Sequence, residues 1–263
     1  MEITARVWEG TDYLPHVFDE WVADPGSAFE VAELNGFVVG FQRLRPIAPG
    51  ILFYEGLRVA EEHRRRGIAR ALLRHALDRA REQGAREVRL ITGNPVASRL
   101  FESEGFRRLV HSVAWLAGRL EGPDLPHLAA PSEAPALFAR IREDPSFQAY
   151  GGVNSHWEEV LDLEEALLAR LAEAGLVRSA PGGRAVALLE PEAHNRLHVS
   201  FLSGSGAALQ DLLMGLRFEA DSQGLDGVRL WAPADHPAAG ELADVGYDLA
   251  RGQVERYAYA REL

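Results

Sequence analysis

The 263-residue sequence predicts an α/β (α+β) fold built from two tandem copies of one unit, each a mixed, mostly antiparallel sheet flanked by helices. Three observations carry this. Strand-like runs alternate with amphipathic runs of helical period. A proline-rich stretch over 121–135, EGPDLPHLAAPSEAP, holds four of the fourteen prolines and divides the chain. A shift of 140 positions then superposes the two parts. Leu57 falls on Leu197, Val59 on Val199, Leu72-Leu73 on Leu212-Leu213, and Ala80 on Ala220. Gln83-Gly84 falls on Gln223-Gly224, and Val88-Arg89-Leu90 on Val228-Arg229-Leu230. The expected organisation is a first domain over 1–120, a linker over 121–135 and a second domain over 136–263.

In chain order, DYLPHVFDEWVAD reads as a helix and AFEVAELNGFVVGFQRL as a hairpin with Asn35-Gly36 at its tip. ILFYEGLRVA is the next strand. Ile68, Leu72, Leu73, Ala76, Leu77 and Ala80 trace one helical face, Arg70, Arg74, Asp78 and Arg81 take the solvent side, and Gly84 stops the helix. REVRLIT is a strand, Pro95 to Glu104 a short helix ending at Gly105, and VAWLAGRL closes the part as RYAYAREL closes the other. Arg89 and Arg229 are expected at strand surfaces.

Composition narrows the function. Hydrophobic residues at 47% and charged residues at 25% describe a soluble globular chain. No apolar run nears the ~18 residues that span a bilayer, and no signal-peptide pattern opens the sequence, so a cytoplasmic protein without a membrane partner is expected. Cysteine is absent, which removes disulfides, thiolate metal sites and a cysteine nucleophile. All 28 basic residues are arginine, which removes lysine nucleophiles and Schiff bases. A net charge of −11 disfavours nucleic acid as a partner.

The stretch EEHRRRGIARALL concentrates the chemistry. Arg64, Arg65 and Arg66 crowd the start of a helix, where the dipole already makes cations unfavourable unless an anion joins them. Gly67 lets a phosphate approach the backbone, and Ala69 is the next-smallest side chain. First-turn N–H groups and forked guanidinium donors suit phosphate oxygens.

Arg64-Arg65-Arg66-Gly67-Ile68-Ala69 matches the Q/R-x-x-G-x-G/A acyl-CoA loop of the GNAT acetyltransferases, and the sequence resembles that family. A second family signature is reproduced by Asn94, Ala97, Leu100-Phe101-Glu102 and Gly105-Phe106. The resemblance covers about 3–120 and recurs in weaker form over 136–263. It implies acetyl-CoA as co-substrate, no metal, and acetyl transfer by direct attack of a small-molecule or peptide amine. It also implies that the backbone of Leu57, Arg58 and Val59 pairs with the pantetheine arm and that residues 64–69 cradle the pyrophosphate. Asn94 would bond the arm, with Ala97 in the same motif and Phe101 packed beside the cofactor. Read from local chemistry alone, Asn94 is a helix cap before Pro95.

Phe101 departs from the family, many members of which carry there a tyrosine that protonates the leaving thiolate. Either water, Ser98 or another tyrosine such as Tyr54 is expected to do this, or the thiolate, with a pKa near ~8.5, leaves without assistance. An amine of pKa ~10.4 needs a proton acceptor at neutral pH, and Glu55, on the strand before the cofactor segment, is the expected base, ahead of Glu20 and His111. The competing reading is a non-catalytic acyl-CoA-binding or regulatory module; aminoacyl transfer from charged tRNA fits poorly with the net charge.

In the second part, GSGAAL (204–209) replaces the arginine turn. LHVSFLSGSGAAL resembles a dinucleotide fingerprint, but Leu209 fills the slot for a small residue, and a degenerate acyl-CoA loop is expected. His194 and His198 have the spacing of helical metal ligands but no third ligand nearby. Tyr150, Gly151-Gly152, Asn154, His156 and Trp157 either line an acceptor pocket or simply pack.

Overall fold

The computed structural model describes residues 3, 13–191, 195–252 and 255–263. The first elements are α1 (Leu14–Ala23), β1 (Ala28–Leu34), β2 (Phe37–Ala48), β3 (Ile51–Val59), α2 (Ile68–Glu82), β4 (Glu87–Thr92), α3 (Pro95–Ser103) and β5 (Arg107–Gly118). There follow β6 (His127–Leu128), α4 (Ala134–Glu143), α5 (Pro145–Ala149), β7 (Val153–His156), β8 (Glu159–Asp162), α6 (Glu165–Glu173) and β9 (Val177–Ser179). The last are β10 (Ala185–Leu189), β11 (Leu197–Gly204), α7 (Gly206–Ser222), β12 (Gly227–Pro233), α8 (Ala239–Asp244), β13 (Asp248–Leu249) and β14 (Glu255–Glu262).

These elements form two units that do not follow the expected division at 121–135. The first holds Met1–Ile91, Pro95–Arg107 and Tyr259–Leu263; the second holds Thr92–Asn94 and Arg108–Ala258. Residues 121–135 lie inside the second: His127 and Leu128 pair with Ser179 and Arg178, Pro131–Glu133 is a 3₁₀ turn, and Ala134 begins α4.

In the first unit β1, β2 and β3 are antiparallel neighbours, and β3 pairs in parallel with β4. The hairpin tip is as predicted: Asn35 (φ 53°) and Gly36 (φ 80°) supply the two left-handed residues of a tight turn that suits the strands' twist. The α2 helix buries Leu72, Leu73, Ala76, Leu77 and Ala80, the face read from the sequence. Leu14 and Trp21 of α1 pack with Phe41 and Phe29.

In the second unit the strand order is β5-β12-β11-β10-β9-β6; β13 also pairs with β5, and β7-β8 form a separate two-stranded ribbon. Leu209, Leu212, Leu213, Leu216 and Ala220 of α7 are buried against Val199, Val228 and Leu230 of the sheet.

The repeat is real in the helices and the strands that follow them, but its register breaks one strand earlier. Leu52 pairs with Val88, whereas Leu197 pairs with Val228. Leu52, not Leu57, is therefore the counterpart of Leu197, so the coincidences of Leu57 with Leu197 and Val59 with Val199 carry no structural equivalence. The second unit is five residues shorter between strand and helix, and the arginine turn falls in the missing piece. Arg89 and Arg229 are not surface positions either. Arg89 is buried and bonded to Glu87 through Nε (3.1 Å) and Nη2 (2.8 Å). Arg229 is half-buried with its Nε unpartnered, and burial lowers its pKa.

Candidate active site

The site begins with a fault in β3. Arg43 pairs with Glu55 and Phe41 with Arg58, so Gly56 and Leu57 oppose the single residue Gln42. This is a β-bulge, which bends a strand and raises its local twist. Gly56 makes it possible: its φ is +71°, and a β-carbon there would lie 2.6 Å from the Trp21 ring. On the other side of β3, the parallel ladder with β4 covers three pairs, Ile51↔Glu87 to Phe53↔Arg89, and ends. Leu57, Arg58 and Val59 lie beyond that point, on a strand diverging from its neighbour. The Leu57 and Val59 carbonyls accept from the side chains of Arg58 and Arg64, each at 3.1 Å.

The chain then makes a 3₁₀ turn over Glu61–His63 and enters the arginine loop. Arg65 takes a left-handed φ of 64°, rare for a residue with a β-carbon, and Gly67 takes 84° as the N-cap of α2. No side chain caps this helix, so the first-turn N–H groups of Ile68, Ala69 and Arg70 have no partner within it. Arg64, Arg65 and Arg66 are exposed. Among the described residues no carboxylate pairs with them, whereas Arg70 and Arg74 both bind the buried carboxylate of Glu104. The helix face expected simply to meet solvent is thus pinned to the residue before Gly105. A hollow of about 500 Å³, lined by Pro46, Pro49, Gly50, Leu52, Gln83 and Gly84, lies at the opposite end of β3 from the arginine turn.

Other predicted residues fall in varied places. Glu55 is not at an open edge: its Oε1 accepts from Arg43 Nη1 (3.0 Å) and Arg45 Nε (2.7 Å), and its side chain is 10% exposed. Tyr54 is buried and donates to Gln42 Oε1 at 2.9 Å, and burial raises its pKa well above that of a free phenol. Ser98 and Phe101 are buried on α3, which also carries Ala97. Asn94 precedes α3, in the second unit, its N–H bonded to Thr92 Oγ1 at 3.0 Å. Glu20 is exposed on α1.

Two features of the first unit escape the sequence reading. Gly56 carried a signal, since a glycine inside a strand pattern marks a bulge. Tyr259 carried almost none. It is fully buried, its ring is 6.3 Å from that of Phe101, and its hydroxyl donates to Glu102 Oε1 at 2.8 Å. A tyrosine from the far end of the sequence thus packs beside the phenylalanine of the family motif.

In the second unit the corresponding loop is closed by the protein itself. The Gly206 amide, at the start of α7, donates to both oxygens of Glu241 at 3.1 Å, and the Gly204 amide donates to Asp144 Oδ2 at 2.9 Å. Beyond the Val199↔Leu230 pair, where the β11–β12 ladder ends, Tyr150 is wholly buried. Its hydroxyl donates to the Trp231 carbonyl at 3.0 Å, and its ring lies 4.5 Å from that of Phe201. Carboxylates and a phenol of this chain therefore fill both positions, and no glycine fingerprint for a dinucleotide stands open. His198 lies 3.4 Å from Glu190 through Nδ1; its expected partner His194 lies outside the described residues. No group of three metal-ligating side chains occurs among the described residues, and no described helix is long and apolar enough to cross a membrane.

The sequence pattern described as the Acetyltransferase (GNAT) family matches residues 2–106. Those residues belong to the GNAT acetyltransferase family. Human N-acetyltransferase 8 is 38% identical to this chain over 107 residues, covering 38% of this chain and 47% of that one. The chain thus spans about half the length of the curated relatives it matches. Two solved structures share the GNAT fold over nearly the whole chain. A GCN5-related N-acetyltransferase from Sphaerobacter thermophilus aligns with a TM-score of 0.61 at 14% identity, covering 99% of this chain and 90% of that one. A tandem GNAT protein from the clavulanic acid biosynthesis pathway aligns at 0.51 and 18% identity, covering 91% and 84%. The match to the GNAT pattern spans the bulged strand, the arginine turn and α3 up to Phe106.

Proposed function

We propose that this chain is an acetyl-CoA-dependent N-acetyltransferase whose GNAT-family part binds the co-substrate and passes its acetyl group to an amine. The supporting observation is the succession of a bulged, diverging strand, a left-handed turn and an uncapped helix, with three exposed arginines that pair with no carboxylate among the described residues. An added strand-like ligand can bond the backbone of Leu57, Arg58 and Val59, as peptides do at open sheet edges. The N–H groups of Ile68 and Ala69, with Arg64, Arg65 and Arg66, suit a pyrophosphate at the positive end of α2. Gly67 has no heavy atom within 4 Å of where a β-carbon would sit, so a ligand can come close there. Asn94, Ala97 and Phe101 take the roles the family motif gives them.

Acetyl-CoA supplies an activated acyl group: a C–N bond forms as the C–S bond breaks and the thiolate leaves. Backbone N–H groups on the diverging strand offer donors to the carbonyl oxygen as it gains charge. Glu55 stays a candidate base, although its two guanidinium partners equally suit an anchor for the bulge. Glu55→Gln separates the roles: loss of the base changes the pH–rate profile, whereas loss of an anchor lowers stability and leaves that profile alone.

The decisive experiment is calorimetry of acetyl-CoA with the wild type and with Arg64→Glu/Gly67→Asp. Loss of binding in a folded variant supports the assignment, and unchanged affinity overturns it. Phe101 and the engaged hydroxyl of Tyr54 favour a second reading, an acyl-CoA-binding module without turnover. Under it acetyl-CoA binds, but no amine hastens thiol release.

A further inference from the structure

Where the first unit pairs an arginine, the second leaves its counterpart bare. Arg89 and Arg229 correspond through the repeat, and Arg89 is bonded to Glu87, two positions before it on β4. Two positions before Arg229 stands Gly227, which has no room for a side chain. A β-carbon there would lie 2.0 Å from the Ala117 carbonyl oxygen and 2.9 Å from Arg196 Nη1. The counterpart of the Glu87 carboxylate is thus missing, and a second guanidinium stands close to its place. Arg196 Nη1 donates to the Ala117 carbonyl at 3.2 Å. Among the described residues no carboxylate pairs with Arg196 or Arg229, while Glu190 is engaged by Arg256 at 2.8 Å and lies 3.4 Å from His198. Burial, then the charge of Arg196, lowers the Arg229 pKa, as two cations without a counter-ion require.

The two arginines share a face of the second sheet. Leu197, Val199, Val228 and Leu230 of the β11–β12 ladder are buried with α7, so strand alternation turns Arg196, His198 and Arg229 to the opposite side. His198 is the ladder partner of Arg229. Two positions beyond Arg229, Trp231 is 1% exposed, and the Arg256 guanidinium lies 4.3 Å over its ring. Arg229 Nε, Trp231 Nε1 and Arg256 Nε are buried and have no hydrogen-bond partner among the described residues. All three are donors, and a buried donor left unpaired is costly. An oxyanion offers acceptor lone pairs only, so it is the group that satisfies such a set. Arg196, His198 and Arg229 are each partly exposed, which leaves the arginines within reach of a small solute.

We propose that the second unit binds a small oxyanion, the carboxylate or phosphate group of a soluble metabolite, at Arg196 and Arg229. The forked guanidinium donors match the paired oxygens of either group, and the anion supplies the charge that Glu87 supplies in the first unit. This site uses no residue of the arginine turn and does not depend on acetyl transfer.

The test titrates the full chain with inorganic phosphate, succinate and acetate by calorimetry at constant pH and ionic strength, with chloride as the control and the melting temperature followed alongside. One saturable equivalent is expected to remain in Arg64→Glu/Gly67→Asp, which removes the arginine turn as an anion site. In either background Arg229→Gln is expected to weaken that equivalent roughly tenfold to a hundredfold, the loss of one charge-assisted contact, and Arg196→Gln to weaken it less. Without anion, the melting temperature of Arg229→Gln should stay level or rise, because an uncompensated cation is gone. Phosphate bound more tightly than succinate assigns the ligand to the phosphate esters, and the reverse order assigns it to the carboxylic acids; both support the site. Three results overturn it: no saturable binding, or stabilisation that chloride reproduces; binding lost in Arg64→Glu/Gly67→Asp but kept in Arg229→Gln; or a sharply lowered anion-free melting temperature in Arg229→Gln, which shows that the protein itself already holds that guanidinium. None of these results bears on acetyl-CoA binding, which is measured separately.

Discussion

A β-carbon added to Gly56 would sit 2.6 Å from Cζ3 of Trp21, so the helix that precedes the hairpin presses directly on the bulge of β3. Gly56→Ala adds that clash to the cost of a left-handed φ for a residue with a side chain. The variant is expected to lose roughly 1–3 kcal/mol of stability and to bind acetyl-CoA more weakly. Denaturant melts and calorimetry on the same sample check both; a destabilised variant with wild-type affinity detaches the bulge from the cofactor.

Tyr259 is expected to matter to the first unit rather than to the second. Tyr259→Phe removes one charge-assisted hydrogen bond to Glu102, worth about 1.5–3 kcal/mol. Tyr259→Ala also opens a cavity beside Phe101, costing roughly 3–5 kcal/mol. Proteolysis should then nick the GNAT-family part first. Preferential cleavage within 136–250 contradicts this.

The Glu241 and Asp144 contacts lead to a stoichiometry. Titration should give one equivalent of acetyl-CoA per chain, because the second loop is short and already bonded to carboxylates. Glu241→Ala frees the Gly206 amide at a cost of about 1 kcal/mol, as cap removal does, and should not create a second equivalent, since Tyr150 still fills the diverging strands. Two equivalents in the wild type are incompatible with this account.

Glu190 sets an acid limit for the second unit. Burial drives its pKa upward, yet the charge of Arg256 and hydrogen bonds from His198 and Arg256 prevail and hold it at about 2. Arg256 Nη1 lies 2.8 Å from Glu190 Oε1, and Arg256 is itself 1% exposed. A carboxylate depressed on folding stabilises above its unfolded pKa, near 4.3, and loses that contribution as pH falls toward 2. Glu190→Gln strands a buried guanidinium and is expected to cost roughly 3–5 kcal/mol at pH 7. Its melting temperature should also be flatter between pH 5 and 2 than that of the wild type. An equally steep acid transition in Glu190→Gln assigns the limit to another carboxylate.

What could be read in advance was local. Helix α2, its buried face, Gly67 at its entrance and Asn35-Gly36 at the hairpin tip all follow from neighbours within a few positions. The fold and its family followed from two short motifs. Hidden were the relationships that cross long stretches of chain: Tyr259 with Glu102, 157 positions apart, and Asp144 with Gly204, 60 apart. The shortened second loop was masked because Ala80, Gly84 and Leu90 keep an ungapped register with Ala220, Gly224 and Leu230, while the preceding strand slides by five. Arg89 shows the complementary failure: a charged residue in a strand reads as exposed unless its partner, here Glu87 two positions away, is recognised.

The assignment of residues 259–263 to the first unit has a consequence for synthesis on the ribosome. The GNAT-family segment emerges early but cannot close until the intervening second unit has been translated, leaving a strand edge waiting in the meantime. A gene cut between the two halves would therefore yield an N-terminal product lacking a strand, and supplying that strand as a separate peptide should rescue it.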